Sequence, residues 1–589
     1  MWLIDTETLK LGQFIGRNIP SYAILSHTWA EEEVSFQDIQ GQSPGRQQPT
    51  AINKIGFAKI QRTCALARQQ GLQYAWIDTC CIDKSSSAEL TEAINSMFKW
   101  YQRANVCYVW LSDLIPSTNI YSDDGARELG TCRWFTRGWT LQELIASRTV
   151  QFYDQDWTLV GSKSGLLRQL HAVTAIDIDV LGGDERALTY TTVAEKMSWA
   201  AGRDTTRIED AAYCLMGIFD INMPLFYGEE EKAFQRLQNE ILAKSNDVTI
   251  FAWERGEHRP PPTQSFRDTE GQRVLSGLLA ESADDFGIHR HQGRIDPTSG
   301  RRPTLQVTKS SIKLFTELTW EEVPETGGRR YYIYCGSRDQ GEDIIIVRLV
   351  KVVGGSFVRE NMDQRAPIPN LRWDRFRRRE LNLLVKFSPY PIRLFSHNVG
   401  FRTRLKFRCP ENMSVAEASP WSKWNDEGCE FVAHPRAFCG SVLFHIRWLL
   451  PFSVGLQRSH STDYVFIFDS NLPNRTGLSP FLMRGTLLER YGVFQTKVDY
   501  INSYLDSQRP GSSVFDDVVT RVGLPMADKA VINLPSPNPS ALLSFSWTHK
   551  SVTSGARTEE WEVAFDINWM GDRAASSQEN IIDGENTTS

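Results

Sequence analysis

Between residues 22 and 154, four short apolar runs alternate with stretches of helical spacing: YAILS (22–26), YAWID (74–78), VCYVWL (106–111) and VQFYD (150–154). The runs are rich in aromatic and branched residues and give way to small or acidic ones, as strands do. A strand–helix repeat of this kind predicts a parallel sheet with right-handed crossovers and helices on both faces. The clearest helix is 88–103, where Leu90, Ile94, Met97, Phe98 and Tyr101 share a face and Ser86 and Glu89 have capping-box spacing. A second is expected over about 53–70 on Ile55, Ile60 and Ala67, and a third over about 138–147.

Past residue 154 the pattern turns helical, with segments near 191–202, 208–217 and 229–244 and no convincing strand. The polar stretch 254–273, with Pro260, Pro261 and Pro262, reads as a linker. From about 274 the character changes to strands, as in TLQVTKSSIKLF (304–315), RRYYIYCG (329–336), DIIIVRLVKVVGG (343–355), TRLKFRC (403–409), SVLFHIRW (441–448) and DYVFIFD (463–469). Strands without long intervening helices suggest one or two sandwich-like or barrel-like β domains. The expected order is therefore an α/β domain over 1–160, a helical extension over 161–253, a linker over 254–273, a β-rich region over 274–571 and a disordered tail over 572–589.

Composition narrows the function classes. With 589 residues, 41% of them hydrophobic and 23% charged, the chain is an ordinary folded protein of several domains. The 65 basic and 71 acidic residues leave a net charge of −6, too mild for general attraction to nucleic acid or anionic membrane. The start MWLIDTETLKLG carries acids where a signal peptide needs a basic end, and no run approaches the ~18 apolar residues of a membrane span. Ten cysteines without a CxxC pair point to reduced thiols in a cytosolic or nuclear protein, and a cytoplasmic location is expected. The vicinal Cys80 and Cys81 can be read as a redox pair or as buried thiols.

The chain has no GxGxxG, GxxxxGK[ST] or HExxH, which argues against dinucleotide oxidoreductases, P-loop NTPases and zincins. The isolated His289 and His291 lack companions for a metal site, and none is expected. The run Arg372, Arg375, Arg377, Arg378 and Arg379, interleaved with Trp373 and Phe376, reads as a solvated face in a chain of acidic total.

In an open parallel sheet, ligands bind beyond the carboxyl ends of the strands. Those ends carry Ser26, His27 and Trp29 after the first strand, Asp78, Asp83 and Lys84 after the second, Asp113 after the third and Asp154 after the fourth. The segment Arg133-Trp134-Phe135-Thr136-Arg137-Gly138-Trp139 then enters a helix that must begin at the same rim, with Glu143 about one turn inside. The acids have two readings, as turn caps or as ligand groups. Arg133 and Arg137 are phosphate clamps or partners of those acids, and Trp139 is core or platform. Adjacent residues at a strand end point apart, which argues against Ser26 and His27 as a nucleophile pair. Glu143 is the best single acid candidate.

Three blocks, SHTWAEEEVSF (26–36), GLQYAWIDTCCIDKSSSAELTEAINSMFKWYQRANVCYVWLSDL (71–114) and CRWFTRGWTLQELIAS (132–147), resemble the fungal heterokaryon incompatibility (HET) domain in order and spacing. Residues 210–254 resemble the helical extension that follows such domains, with Glu230 standing where its YGEG pattern has glycine, and SGLLAESADDF (276–286) resembles the segment after that extension. The chain's tryptophans, 18 in all, mark these blocks at Trp29, Trp76, Trp100, Trp110, Trp134 and Trp139.

The resemblance implies a programmed-cell-death effector of fungal non-self recognition, a form of innate immunity, activated by self-association. HET domains are regarded as similar to TIR domains, which implies a flavodoxin/TIR-like α/β fold followed here by the mainly β region. Some TIR domains are NAD glycohydrolases, cleaving the nicotinamide–ribose bond with the glutamate of a WxxxE motif, a spacing that Trp139 and Glu143 share. By this resemblance Glu143 is the catalytic residue and NAD is a substrate, with no resident cofactor. Ser26, His27, Trp29, Asp78, Asp83, Arg133, Trp134, Arg137 and Trp139 are the substrate-binding candidates. The alternatives are a non-enzymatic module that signals by assembling with protein partners, and a β region that recognises a ligand and restrains the HET domain.

Overall fold

The computed structural model describes residues 1–255 apart from 17, 41–49 and 117. Beyond them it describes 265–267, 274–297, 303–308, 311–323, 328–338, 343–352, 355–361, 372–384, 402–410, 413–419, 423–433, 438–450, 458–471, 482–489, 529–532, 541–551 and 558–569. Most of the expected linker and all of the expected tail 572–589 lie outside these residues. The chain separates into two compact units, one formed by Met1–Thr263, Leu278–Lys309 and Tyr334–Val347, the other by Gln264–Gly277, Ser310–Ile333 and Arg348–Ser589.

The first unit is built on a seven-stranded sheet. Its strands are β1 (Trp2–Asp5), β2 (Leu11–Gln13), β3 (Tyr22–His27), β4 (Tyr74–Trp76), β5 (Val106–Trp110), β6 (Val150–Tyr153) and β7 (Leu159–Ser162), in the order β2-β1-β4-β3-β5-β6-β7. The four strands anticipated from the apolar runs are β3, β4, β5 and β6, and they pair in parallel. Their spatial order is second, first, third, fourth. β1, β2 and β7 add antiparallel edges. The stretch after 154, expected to hold no strand, thus holds β7. It escapes a periodicity search because it is four residues long, LVGS, and none of them is fully buried.

β3 is buried at every residue, as a strand with parallel neighbours on both sides and helices over both faces must be. α1 (Phe36–Gln40) and α2 (Phe57–Gln69) connect β3 to β4, and α3 (Ser87–Arg103) connects β4 to β5. The α3 N-terminus keeps half of the expected capping box. Ser86 Oγ accepts from the Glu89 amide (3.3 Å), but the Glu89 carboxylate turns to the amide of Asp83 (3.1 Å). α3 packs Trp100 and Tyr101 edge-on against Trp76 of β4, with ring centroids 5.6 and 5.9 Å apart.

α4 (Asp123–Thr131) and a 3-10 turn (Arg133–Thr136) lead into α5 (Gly138–Ala146), which is buried at every residue except Trp139. The helices α6 (Leu167–Thr174), α7 (Ile178–Leu181), α8 (Glu185–Tyr190), α9 (Val193–Ser198), α10 (Asp210–Tyr213) and α11 (Lys232–Lys244) complete the extension. α10 is one turn long, where a helix over 208–217 was expected.

Residues 278–309 and 334–347, expected in the β-rich region, belong to the first unit. Specific polar contacts attach them to it. Gln238 on α11 exchanges hydrogen bonds with the backbone of Ala280, the buried Trp253 indole donates to the Leu278 carbonyl (2.9 Å), and the Ile295 amide donates to Glu195 (3.0 Å). His289 donates from Nε2 to the Ala252 carbonyl and accepts at Nδ1 from Arg338, so that it stays neutral, its pKa lowered to about 4 by burial and the facing guanidinium.

The second unit is β throughout its described residues. Ser311–Val323 pairs antiparallel with Arg372–Leu384 across a bulge at Glu317/Leu318, which puts the arginine-rich run on a paired strand. A four-stranded sheet runs Met413–Ser419, Phe438–Leu450, Arg458–Asn471, Leu482–Glu489. A six-stranded sheet includes Arg402–Arg408 between Glu430–Ala433 and Thr558–Trp569. Phe407, Trp424, Phe431 and Phe565 of this sheet and Phe444 of the four-stranded sheet form one aromatic cluster.

Candidate functional site

The chain passes from β3 to β4 on one side and then from β4 across to β5 on the other side of β3. The crevice above the carboxyl ends of β3 and β5 is therefore the switch point of the sheet, where open α/β folds receive ligands. Ser26, the next-to-last residue of β3, lies there. So does Glu143, because α5 has to run back beneath the rim before β6.

The two meet through side chains 117 residues apart in sequence. The Ser26 hydroxyl donates to Glu143 Oε2 and accepts from the indole N–H of Trp134 (2.8 Å). The Tyr101 hydroxyl, which donates to the Leu25 carbonyl (3.0 Å), also faces the carboxyl. Glu143 is only 7% exposed. Burial pushes its pKa up to about 8, with Asp78 adding to the rise while the Ser26 and Tyr101 hydroxyls and the Arg203 guanidinium hold it back. At neutral pH this carboxyl is mostly protonated, and its ionisation is poised within reach of small changes in its surroundings.

A second cluster stands beside it. The Asp78 carboxylate accepts from the Trp29 indole at Oδ2 (2.7 Å) and faces His27 Nδ1 from Oδ1 (3.8 Å). His27 is buried and its Nε2 has no hydrogen-bond partner. Burial, reinforced by Lys59 and Lys84, keeps the imidazole pKa well below its ordinary value, so it is neutral. Trp29 is 49% exposed, with the Lys84 ammonium 3.7 Å from its ring centroid and Arg133 donating to its carbonyl (2.9 Å). The Arg133 amide donates to Asp113 (2.7 Å).

Of the residues singled out in the sequence, Ser26, Trp134 and Glu143 form one bonded group, and His27, Trp29, Asp78 and Arg133 form its neighbour. Asp83 accepts from Gln37 (2.7 Å) and from Ser85, as a loop acid does. Arg137 donates to Thr206 (2.9 Å) and Trp139 bonds the Asp210 carboxylate, so both engage the helical extension. Asp154 accepts from the amides of Asp156 and Thr158, closing the turn after β6. Ser26 and His27 point to different partners, as adjacent residues on a strand end must.

Sequence reasoning missed Arg203, Tyr101 and Thr140. Tyr101 had been assigned to the apolar face of α3, and nothing in the periodicity distinguishes a buried tyrosine that serves a carboxyl. Cys80 and Cys81 are free, buried thiols, with Cys81 Sγ accepting from the Ile77 amide (3.4 Å). Among the described residues no group of three or more metal-binding side chains occurs, and no helix is long and apolar enough to cross a membrane.

The family model "Heterokaryon incompatibility protein (HET)" matches residues 22–123, and a "Domain of unknown function (DUF8212)" matches residues 232–313. Vegetative incompatibility protein HET-E-1 of Podospora anserina is 47% identical over 230 residues, which is 38% of this chain and 16% of that protein. The chain thus spans only a small part of that relative. No solved structure matches. The HET model covers β3, β4 and β5, with Ser26, Trp29 and Asp78 at their ends, and there the chain is similar to a HET domain; Trp134 and Glu143 lie outside the matched residues.

Proposed function

We propose that this chain is a programmed-cell-death effector of heterokaryon incompatibility, acting in the cytoplasm, whose HET domain becomes active on self-association and cleaves NAD at the nicotinamide–ribose bond. The observation that carries the reading is the buried Glu143 carboxyl at the switch point of the parallel sheet, bonded by Ser26, which in turn accepts from the Trp134 indole. The strand order second-first-third-fourth supports a flavodoxin/TIR-like domain.

In the reaction, the bond between ribose C1′ and the pyridinium nitrogen breaks, and its electron pair leaves with neutral nicotinamide. The positive charge left on the ribose is opposed by the Glu143 carboxylate until water adds to C1′ and gives up a proton. One carboxylate is sufficient because the leaving group departs without needing a proton. The half-exposed Trp29 offers a ring face to a planar base, and Arg133 beside it offers a guanidinium to the diphosphate. In the described conformation the carboxyl is sealed and protonated. Activation therefore consists of exposing and ionising Glu143, a shift that self-association would favour by binding the open state better.

A second reading rests on the same burial: a sealed, hydrogen-bonded carboxyl also suits a structural polar group in a module that signals by assembly alone. The full-length protein, incubated with NAD at rising protein concentration, separates the two. Nicotinamide release that steepens with concentration and disappears in Glu143→Gln supports the enzyme. No release at any concentration, with Glu143→Gln as toxic as wild type when expressed in fungal cells, replaces it with the assembly module.

A further inference from the structure

The first turn of α5, which carries Glu143, has no side-chain N-cap of its own. Its entry is held by a segment of the helical extension, residues 203–210. The Gly138 amide donates to the Asp204 carbonyl (2.9 Å) and the Asp204 amide to the Thr136 carbonyl (2.6 Å), a parallel bridge between two non-strand segments. Thr206 accepts from Arg137, and Asp210 from Trp139. The approach is so close that a Cβ at residue 138 would lie 2.5 Å from the Thr205 methyl and 3.2 Å from Cys214 Sγ, which is why glycine opens the helix.

Arg203 reaches deepest. Its guanidinium donates from Nε to the Trp199 carbonyl (3.1 Å) and from Nη1 to the Arg137 carbonyl (2.8 Å) and Thr140 Oγ1 (3.2 Å). Thr140 in turn donates to the Trp134 carbonyl (2.6 Å), and the Trp134 indole donates to Ser26, which bonds Glu143. Hydrogen bonds thus link Arg203 to the Glu143 carboxyl by way of Thr140, the backbone and then the indole of Trp134, and Ser26. Arg203 has no carboxylate within ion-pair distance among the described residues, and Glu143 is the acid whose field it feels.

We propose that Arg203 is a positioning residue of the Glu143 site, so that the functional unit is the sheet together with the segment 203–210 of the extension. Arg203 fixes the first turn of α5 and, through Thr140, the backbone of Trp134. Its guanidinium also places a positive charge whose field favours the ionised Glu143. Of the other charged or titratable groups near Glu143, Asp78 from the end of β4 opposes its anion, the neutral Tyr101 hydroxyl from α3 favours it as a donor, and Cys107 from β5 is a thiol, which leaves Arg203 as the positive charge acting on it. The inference deepens the Glu143 reading and rests on it for its functional meaning, but its test needs no NAD cleavage.

The test measures where Glu143 ionises, from the pH dependence of the stability difference between each full-length protein and its Glu143→Gln counterpart. It is made with Arg203 intact and in Arg203→Met, Arg203→Gln and Arg203→Lys. Loss of the charge in the Met and Gln variants is expected to raise the ionisation pH by about half a unit or more, roughly threefold in the equilibrium, with the Lys variant close to wild type. Should Arg203→Met fail to fold, the Gln and Lys pair decides, since Gln keeps a donor for the carbonyls without the charge. An unchanged ionisation pH in the neutral variants, or a Lys variant displaced as far as Gln, overturns the proposal. A wild type that releases no nicotinamide but shows the shift refutes only the NAD reading.

Discussion

Replacing Glu143 by glutamine tests the electrostatics of the site in isolation. The folded protein holds this carboxyl at about 8 against an ordinary 4.5, burial being the main cause. A raised folded pKa means that the group's contribution to stability is fully present below the unfolded value, near pH 4.5, and is lost as pH rises through the folded value near 8. Over that window the wild type forfeits ~1.4 kcal/mol per pH unit from this group, on the order of 4–5 kcal/mol in all. Glutamine has nearly the same shape, its amide oxygen can accept from Ser26, and it does not titrate. Glu143→Gln is therefore expected to match the wild type within ~1 kcal/mol near pH 5 and to exceed its stability progressively toward pH 9. In thermal unfolding followed by tryptophan fluorescence, the gap should reach roughly 10 °C for a unit of this size. A gap that stays constant from pH 5 to 9 would refute the reasoning, because it would mean that Glu143 is already ionised and satisfied at neutral pH.

Three further substitutions test the geometry around it. Ser26→Ala removes the one hydroxyl that serves both Glu143 and the Trp134 indole; leaving two buried groups unpaired should cost about 2–4 kcal/mol in chemical denaturation and raise the Glu143 ionisation pH further. Gly138→Ala forces a methyl against Thr205 and should cost about 1–3 kcal/mol, with faster proteolytic cleavage within 203–210 as its signature, whereas unchanged protection would show that the segment is not held by this contact. Glu230 is exposed and sits at φ +54°, in the left-handed region. Glu230→Gly should therefore raise stability by about 0.5–1 kcal/mol in calorimetry, and a loss instead would mean that the side chain is holding the turn.

Glu230 also shows what a sequence pattern can transmit. The departure from glycine shows only against the YGEG pattern that the extension resembles, and the structure gives its physical content: a residue with a Cβ in a conformation that glycine adopts freely. The four parallel strands and α3 were legible for a similar reason, since each satisfies a local rule of periodicity or capping. Of the edge strands that were not, β2 and β7 have no fully buried residue, so no apolar run marks them. Their pairing is set by what the neighbouring strand leaves unsatisfied.

The site divides along the same line. Glu143 and Ser26 could each be placed at the rim from the direction of the chain, but their bond is a long-range event that neither segment announces. Segment 203–210 carries still less signal, being polar, irregular and free of any motif. Yet its backbone supplies the partner that Gly138 lacks, and its arginine places a positive charge whose field favours the ionised carboxyl. A helix that is buried on nearly every side and opens on a glycine cannot cap itself. Whatever satisfies its first turn controls where Glu143 points, and in this fold that control comes from the extension.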